Sequence, residues 1–346
     1  MRDIREAFRD QARSCAALGS PFMAQLMSVI AEGLEPGGEV SDRLMSWEGD
    51  VSSSGQSVPL RLAGGLHAIR RGGDPGLGAV YPPKTASDQA LWRAVRAAFD
   101  RHERTLLHWL QSAPQTNEVR RSAALIPALH LLERWAGLPI RLSELGCSGG
   151  LNLRADRYNL SLGDAVFGPA DTKVRFRPDW EGAVPSPAPP RIIEREGVDL
   201  RPLDHDHDAD RLFAYIWPDQ PERLALTAAA VETARAYPAR IAAGDAIDWL
   251  ARRLAAPMHG SLHLVFHTVA WQYFPHAAQD RGDALFKTAG ARATMRSPLA
   301  RFAMEADGGR DAGLTLQVWP GGDTISLGRA DFHGRWITWR KSCLSV

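Results

Sequence analysis

The 346-residue sequence predicts an α/β protein: an open, mostly parallel sheet with a C-terminal antiparallel hairpin, preceded by an all-helical N-terminal domain. Three observations carry this expectation. Residues 1–116 show helical periodicity broken only by Gly and Pro, with no strand signal between the breaks. From residue 117 short apolar runs alternate with helical segments, and parallel strands need such crossovers between them. Near the C-terminus two β-rich runs flank Pro320-Gly321-Gly322-Asp323, the residue types of a tight turn. The expected domains are therefore 1–116 and 117–346.

The elements follow in order. In IREAFRDQARSCAAL the apolar residues Ile4, Ala7, Phe8 and Cys15 fall near helical spacing. Ser20-Pro21 starts a second helix, with Pro in a first-turn position where its missing N–H costs nothing, and glycines at 36–38 end it. SVPLRLAGGLHAIRRG reads as a short helix closed by Gly72-Gly73-Asp74-Pro75. Ser87 or Asp88 caps one long helix through ASDQALWRAVRAAFDRHERTLLHWLQSA, in which Trp92 and Trp109 are expected in the core. Residues from 117 form a helix stopped by Gly137, and PIRLSELG is a buried strand. RIIEREGVDL, PARIAAGD, SLHLVFHTVA and LARFAMEA are further strands, with helices PERLALTAAAVETARAY and AIDWLARRLAA among them. The Gly- and Pro-rich stretch 159–191 reads as an insertion, a hairpin plus a Pro-rich connection. GRWITW is a last strand.

Composition bounds the function. A hydrophobic fraction of 45%, a charged fraction of 23% and a net charge of +1 describe a soluble globular chain without the basic excess of a nucleic-acid binder. Cys15, Cys147 and Cys343 are far apart, so neither a disulfide framework nor a cysteine zinc site is indicated. MRDIREAFRDQAR mixes charges and is no signal peptide, and no run of 18 apolar residues marks a membrane span. The expectation is a cytoplasmic protein with a small-molecule substrate; composition leaves its oligomeric state open.

The informative segment is RLSELGCSGGLNLRADRY, 141–158, where a strand runs into Glu144, Gly146, Ser148, Gly149 and Gly150. In an open parallel sheet ligands bind beyond the carboxyl ends of the strands. Glycines there admit a close approach, a following helix offers N–H groups, and a strand-end carboxylate favours hydroxyls or an amine. The same residues also suit a tight strand-to-helix turn with no ligand.

This segment resembles the first motif of class I S-adenosylmethionine-dependent methyltransferases, an acidic residue followed by G-x-G-x-G. Glu144 and Gly146 match directly, Ser148 replaces the middle glycine, and Gly149-Gly150 arrives one position early. The resemblance implies a Rossmann-like methyltransferase-type sheet with S-adenosylmethionine as cofactor, the loop bending around its amino-acid portion. It implies an acidic residue at the end of the second strand for the ribose hydroxyls. Asp199 suits this, although it lies 55 residues past Glu144 where about 20 is usual, and the proposed insertion accounts for the excess. Asp164 has the usual separation but sits in a Gly-Asp turn. RIAAGDAIDWL resembles the segment after the third strand, which places Asp245 at the adenine amino group with Ala246 and Ile247 near the ring; Asp245 is equally a helix cap. The ordered set LRLAGGLHAIRRG, ELGCSGGLNLRADRY, GVDLRPLD, IWPDQPERL, GDAIDWL and FHGRWITW also resembles an uncharacterised bacterial family, domain of unknown function 2332, over essentially the whole chain.

LHLVFHTVAWQYF is then the fourth strand and its exit. Alternation sets His263, Val265 and His267 on one face, and His267 is the candidate catalytic base towards an oxygen or nitrogen acceptor, or else a hydrogen-bonded structural histidine. The exit lacks the Asn/Asp-Pro-Pro-aromatic run of many amine methyltransferases, which argues against DNA-base or glutamine methylation. Asp204, His205, Asp206, His207, Asp208 and Asp210 offer metal-ligand chemistry, but also an acidic lead-in to a helix. Trp217, Asp219, Gln220, Arg223, His333 and Arg335 are candidates for the rim of the cleft. Three readings stand: a methyltransferase, a binding protein of the same fold without turnover, and a metal-assisted hydrolase.

Overall fold

The computed structural model describes residues 3–340, so Cys343 lies outside the described residues. The chain separates into two compact units. The first comprises residues up to Thr116 together with His207–Ala225; the second comprises Asn117–Asp206 and the chain from Leu226 onward. The division is not linear in sequence, because His207–Ala225 packs with the first unit.

The first unit carries α1 (Ile4–Ala17), α2 (Pro21–Gly33), α3 (Glu39–Met45), α4 (Val58–Arg71), α5 (Pro75–Gly78), α6 (Asp88–Arg101) and α7 (Glu103–Leu110). Caps explain their starts. Asp3 accepts from the Arg5 N–H, Ser20 from Met23 and Ser87 from Ala90. The expected long helix after Ser87 is broken into α6 and α7 at His102, which leaves helical geometry (φ −119°). A tertiary contact accounts for the break: His102 Nε2 lies 2.9 Å from the buried Asp74 carboxylate, which Arg101 also reaches. The core joins Phe8, Leu26, Met27, Ile30, Leu62, Leu66, Leu91 and Phe99. Trp92 is half-buried against it, over Gly33. In the same unit Asp219 takes the Ser20 hydroxyl at 2.5 Å and the Phe22 N–H at 3.0 Å, anchoring the returning segment to the start of α2.

The second unit opens with a 3₁₀ turn, Val119–Arg121, and α8 (Ser122–Ala136), ended by Gly137 at φ +61°. Strands β1 (Ile140–Leu145), β2 (Asn159–Leu162), β3 (Ala165–Phe167), β4 (Arg175–Phe176), β5 (Asp179–Gly182) and β6 (Ile192–Asp199) follow. After the short α9 (Ala209–Ala214), which belongs to the first unit, α10 (Pro221–Ala236) leads to β7 (Arg240–Ala243), α11 (Ala246–Arg253), β8 (Leu262–Thr268) and α12 (His276–Gly290). The chain closes with β9 (Leu299–Ala306), β10 (Ala312–Trp319), β11 (Thr324–Ala330) and β12 (Trp336–Trp339). Nine strands make one sheet in the order β5-β12-β11-β10-β9-β8-β1-β6-β7. From β9 to β7 every pairing is parallel, as the alternation of strands and helices predicts. The β10–β11 hairpin turns at 320–323 and pairs antiparallel, as expected.

Two expectations need correction. The insertion is more than a hairpin: β3-β2-β4 form a small sheet of their own, and β5 then adds to the edge of the main sheet, parallel to β12. The segment after the glycine loop is a 3₁₀ stretch, Leu151–Arg157, with non-helical geometry at Arg154, so no α-helix N-terminus follows the loop. Its buried arginine is the reason: Arg154 gives its guanidinium to the carbonyls of Gly150, Ala234 and Tyr237, and an unbroken helix would carry it elsewhere.

Beneath the sheet centre, Ser143 of β1 holds His263 Nε2 at 2.8 Å and takes Arg253 Nε at 3.2 Å. Burial pushes His263 down to about 3, and His67 of the first unit, with Nδ1 on the Ala214 carbonyl, to about 4. Both rings are therefore neutral when folded and protonate more readily when unfolded. Their contribution is full above the ordinary value of 6.5 and is lost as pH falls from there towards 3. Urea midpoints measured from pH 7 to 4 should fall, each imidazole costing up to about 3 kcal/mol, and His263→Gln should flatten part of the drop. A midpoint that stays level across this range would show that neither ring is held neutral.

Candidate functional site

The strand order places the site. From β1 the chain steps to β6 and β7 on one side, then returns to β8 and β9 on the other, so the order reverses between β1 and β8. In open parallel sheets ligands bind beyond the carboxyl ends of the strands at such a reversal. There the loops leaving β1 and β8 nearly touch: a Cβ on Gly146 would lie 2.7 Å from the Ala270 methyl.

The glycine loop is wound tightly. Gly146, Ser148 and Gly150 all have positive φ (+67°, +53° and +65°), which costs Ser148 steric strain that a glycine would not carry. Most of its N–H groups are spent within the protein. Cys147 donates to the Val198 carbonyl, Ser148 to Asp199 Oδ2 at 2.8 Å, Gly150 to the Cys147 carbonyl and Leu151 to Asn117 Oδ1. The expectation that a following helix offers its N–H groups to a ligand is thus corrected. What the segment presents instead are acceptors without partners: Glu144 Oε2 and Ser148 Oγ, in residues 2% and 4% exposed.

Burial raises the Glu144 carboxyl to about 8, against the opposing pull of Arg154, a hydrogen bond from Asn152 and the charge of Arg121, and with a further push from Asp199. Cys147 is buried beside it, its thiol driven well up by desolvation and by Glu144, which makes it an unreactive neighbour. Asp199, half-buried at the end of β6, fastens two loops at once, taking Ser148 N–H on Oδ2 and Arg201 N–H on Oδ1 at 2.9 Å. Its own carbonyl accepts from Gly244 at the exit of β7. Asp245 is exposed and caps α11, its Oδ1 accepting from Ile247 and Asp248; Ala246 is half-buried behind it. Ile241 packs where a Cβ of Gly150 would stand. Glu144, Gly146, Ser148, Gly149, Gly150, Asp199, Asp245 and Ala246 thus gather around one end of the sheet, and Asp164 sits in the β2–β3 turn.

His267 does not have a free nitrogen to offer. Its Nδ1 lies 2.8 Å from Glu305 Oε1, its Nε2 accepts from Arg301 Nε at 3.1 Å, and Trp271 stacks on its face at 5.0 Å. The ring is 1% exposed. Both ring nitrogens are thus held by neighbouring side chains. Glu305, at the end of β9, is the centre of the arrangement, because it also accepts the N–H groups of Ala270, Trp271 and Gln272 and so shapes the β8 exit, where Val269 is held at φ +53°. Arg121 ties the same exit to the C-terminal turn, donating to the carbonyls of Thr268 and Phe332. His333 and Arg335 belong to that turn: Asp331 holds both of their N–H groups and the Arg335 guanidinium.

Sequence patterns missed Glu305, Arg301, Arg121, Asn152 and Arg154. Glu305 carried a signal, an acid at the carboxyl end of a strand beside the switch point; Arg154, in the mixed polar and apolar stretch LNLRADR, carried none. Of the acidic segment 204–210, Asp204 closes a turn on Asp206, Asp206 pairs with Arg235, and Asp210 pairs with Arg71. Among the described residues no group of three or more His, Cys, Asp or Glu side chains converges for a metal ion. His205 does approach the loop, hydrogen-bonded to the Gly149 backbone, with Nε2 buried and unpartnered. A shallow depression lined by Leu254, Met258, His263 and Pro298 lies at the amino ends of β8 and β9, away from the end where parallel sheets bind ligands.

Two substitutions should move stability in opposite directions. Ser148→Gly relieves a left-handed residue whose hydroxyl has no partner, so the ligand-free protein should gain about 0.5–1 kcal/mol in urea unfolding. Gly146→Ala should lose more than 1 kcal/mol, from positive φ and the Ala270 contact together.

No curated protein and no solved structure matches the chain. Among the described residues no helix is long and apolar enough to cross a membrane. The family model that does match runs over residues 5–339, and by that match the chain belongs to the family described as an uncharacterized protein conserved in bacteria (DUF2332).

Proposed function

We propose that the second unit is a Rossmann-like, methyltransferase-type fold that binds S-adenosylmethionine at the carboxyl ends of β1, β6 and β7 and transfers its methyl group to a small-molecule oxygen or nitrogen acceptor. The observation that carries this reading is the unpartnered, buried Glu144 Oε2 at the switch point of the sheet. A buried acceptor without a donor is costly, and a ligand amine supplies what it lacks. The parallel order β7-β6-β1-β8-β9 corresponds to the 3-2-1-4-5 core of dinucleotide-type sheets.

In this reading Glu144 and Ser148 receive the amino-acid end, Gly146, Gly149 and Gly150 leave room for the backbone to approach, Asp199 accepts from the ribose hydroxyls, and Asp245 with Ala246 borders the adenine. The cofactor supplies a methyl group on a sulfonium, activated towards a nucleophile. The protein's contribution is to orient the acceptor and exclude water. His267 and Glu305 act by holding the β8 exit in shape.

A second reading, a binding protein without turnover, is favoured by one observation: both nitrogens of His267 are committed. Labelled methyl passing from the cofactor into a small-molecule extract separates the two. Metal-assisted hydrolysis has no such support at 204–210.

The decisive measurement is calorimetric titration with S-adenosylmethionine and S-adenosylhomocysteine. Binding should weaken about 10- to 100-fold, 1.4–2.8 kcal/mol, in Asp199→Asn and less in Asp245→Ala, whose helix cap is lost as well. Folded wild-type protein that shows neither heat nor a thermal shift would end this reading.

A further inference from the structure

The charges around Glu144 are arranged in an unusual way. Two arginines stand near it, yet neither forms an ion pair with it, and the hydrogen bonds of Arg154 all run to backbone. Arg154 gives Nε, Nη1 and Nη2 to the carbonyls of Tyr237, Gly150 and Ala234, and Arg121 gives Nε and Nη1 to those of Phe332 and Thr268. The remaining titratable neighbours are Asp199 from β6, Cys147 from its own loop and Tyr158 after the 3₁₀ stretch, none of them a cation. The strands on either side set Gly197 and Phe266 in register with it, which adds no charge. Asn152 is a neutral donor, and Oε2 has no partner. A carboxylate in this place would be buried without a bonded counter-charge.

We propose that the site exchanges a proton for a cation: Glu144 is a neutral carboxylic acid in the ligand-free protein, and it releases its proton to solvent as an ammonium group of the ligand reaches Oε2. Only the Glu144 O–H bond breaks, its electron pair stays on the carboxylate, and the ligand amine keeps its three hydrogens. The inference rests on the reading of this site as one for an amino-acid-bearing nucleoside. It goes further by making the proton a product of binding and an ammonium the feature selected.

The linkage has a definite sign. A bound cation lowers the proton affinity of Glu144, so the ligand binds more tightly as pH rises, until the free carboxyl is itself ionised near the value of about 8 to which burial raises it. Below that point affinity should change about tenfold per pH unit.

The test is calorimetry on the full chain with S-adenosylhomocysteine in phosphate and in Tris, whose ionisation heats differ, at pH 5.5, 6.5 and 7.5. Methylthioadenosine, which has the nucleoside but no amine, is the comparison ligand. The expected result is release of nearly one proton at pH 6.5 and a gain in affinity approaching 100-fold from pH 5.5 to 7.5 for S-adenosylhomocysteine, with neither effect for methylthioadenosine. Glu144→Gln should abolish the buffer dependence; if that variant does not fold, the two-buffer result on the wild type decides alone. Binding with no proton released would overturn the inference while leaving the proposed function in place. A proton released with methylthioadenosine as well would overturn it too, because the source would lie elsewhere. No binding of either compound at any pH would remove the proposed function and this inference with it.

Discussion

The carboxylate of Asp199 holds the site together. One oxygen takes the Ser148 N–H and the other the Arg201 N–H, so a single side chain at the end of β6 fixes both the loop that follows β1 and the loop that follows its own strand. Charge-assisted bonds of this kind are stronger than bonds between neutral groups, and they are what can hold Ser148 in a left-handed conformation it would not choose. Glu305 does the same on the other side of the switch point, gathering three N–H groups and an imidazole at the β8 exit, where Val269 is also left-handed.

Against these two fasteners Glu144 stands out. It sits on a central strand, between Gly197 and Phe266 in register, and its Oε2 has no partner among the described residues. Acids at strand ends therefore divide into those that shape loops and one whose oxygen is left over. A buried polar atom without a partner is costly, and each one calls for a physical explanation.

Much of the architecture is legible in the sequence because it rests on local rules. The alternation of apolar runs with helices predicts the parallel half of the sheet, Pro320-Gly321-Gly322-Asp323 predicts the hairpin, and Gly137 predicts the end of α8. The failures share a cause in tertiary contacts that periodicity cannot express. Asp74 reaches 28 residues ahead to break a helix at His102, and Arg154 turns a helical-looking segment into a 3₁₀ stretch for the sake of three distant carbonyls. His267 shows the same limit at the site: alternation sets it on the right strand, but only the fold reveals Glu305 and Arg301 on its two nitrogens.

The insertion between β1 and β6 has an effect far from the loop it lengthens. Its last strand, β5, takes the edge position beside β12, and the exposed Asp179 and Glu181 put negative charge along that border. An uncovered strand edge is a template on which further chains can add, and short charged edge strands are a known way to prevent this. The chain thus carries its own terminator for sheet growth, contributed from the middle of the sequence to a strand near its end. A shortened version that drops 159–191 would leave Trp336–Trp339 with open hydrogen-bonding groups, a surface suited to self-association.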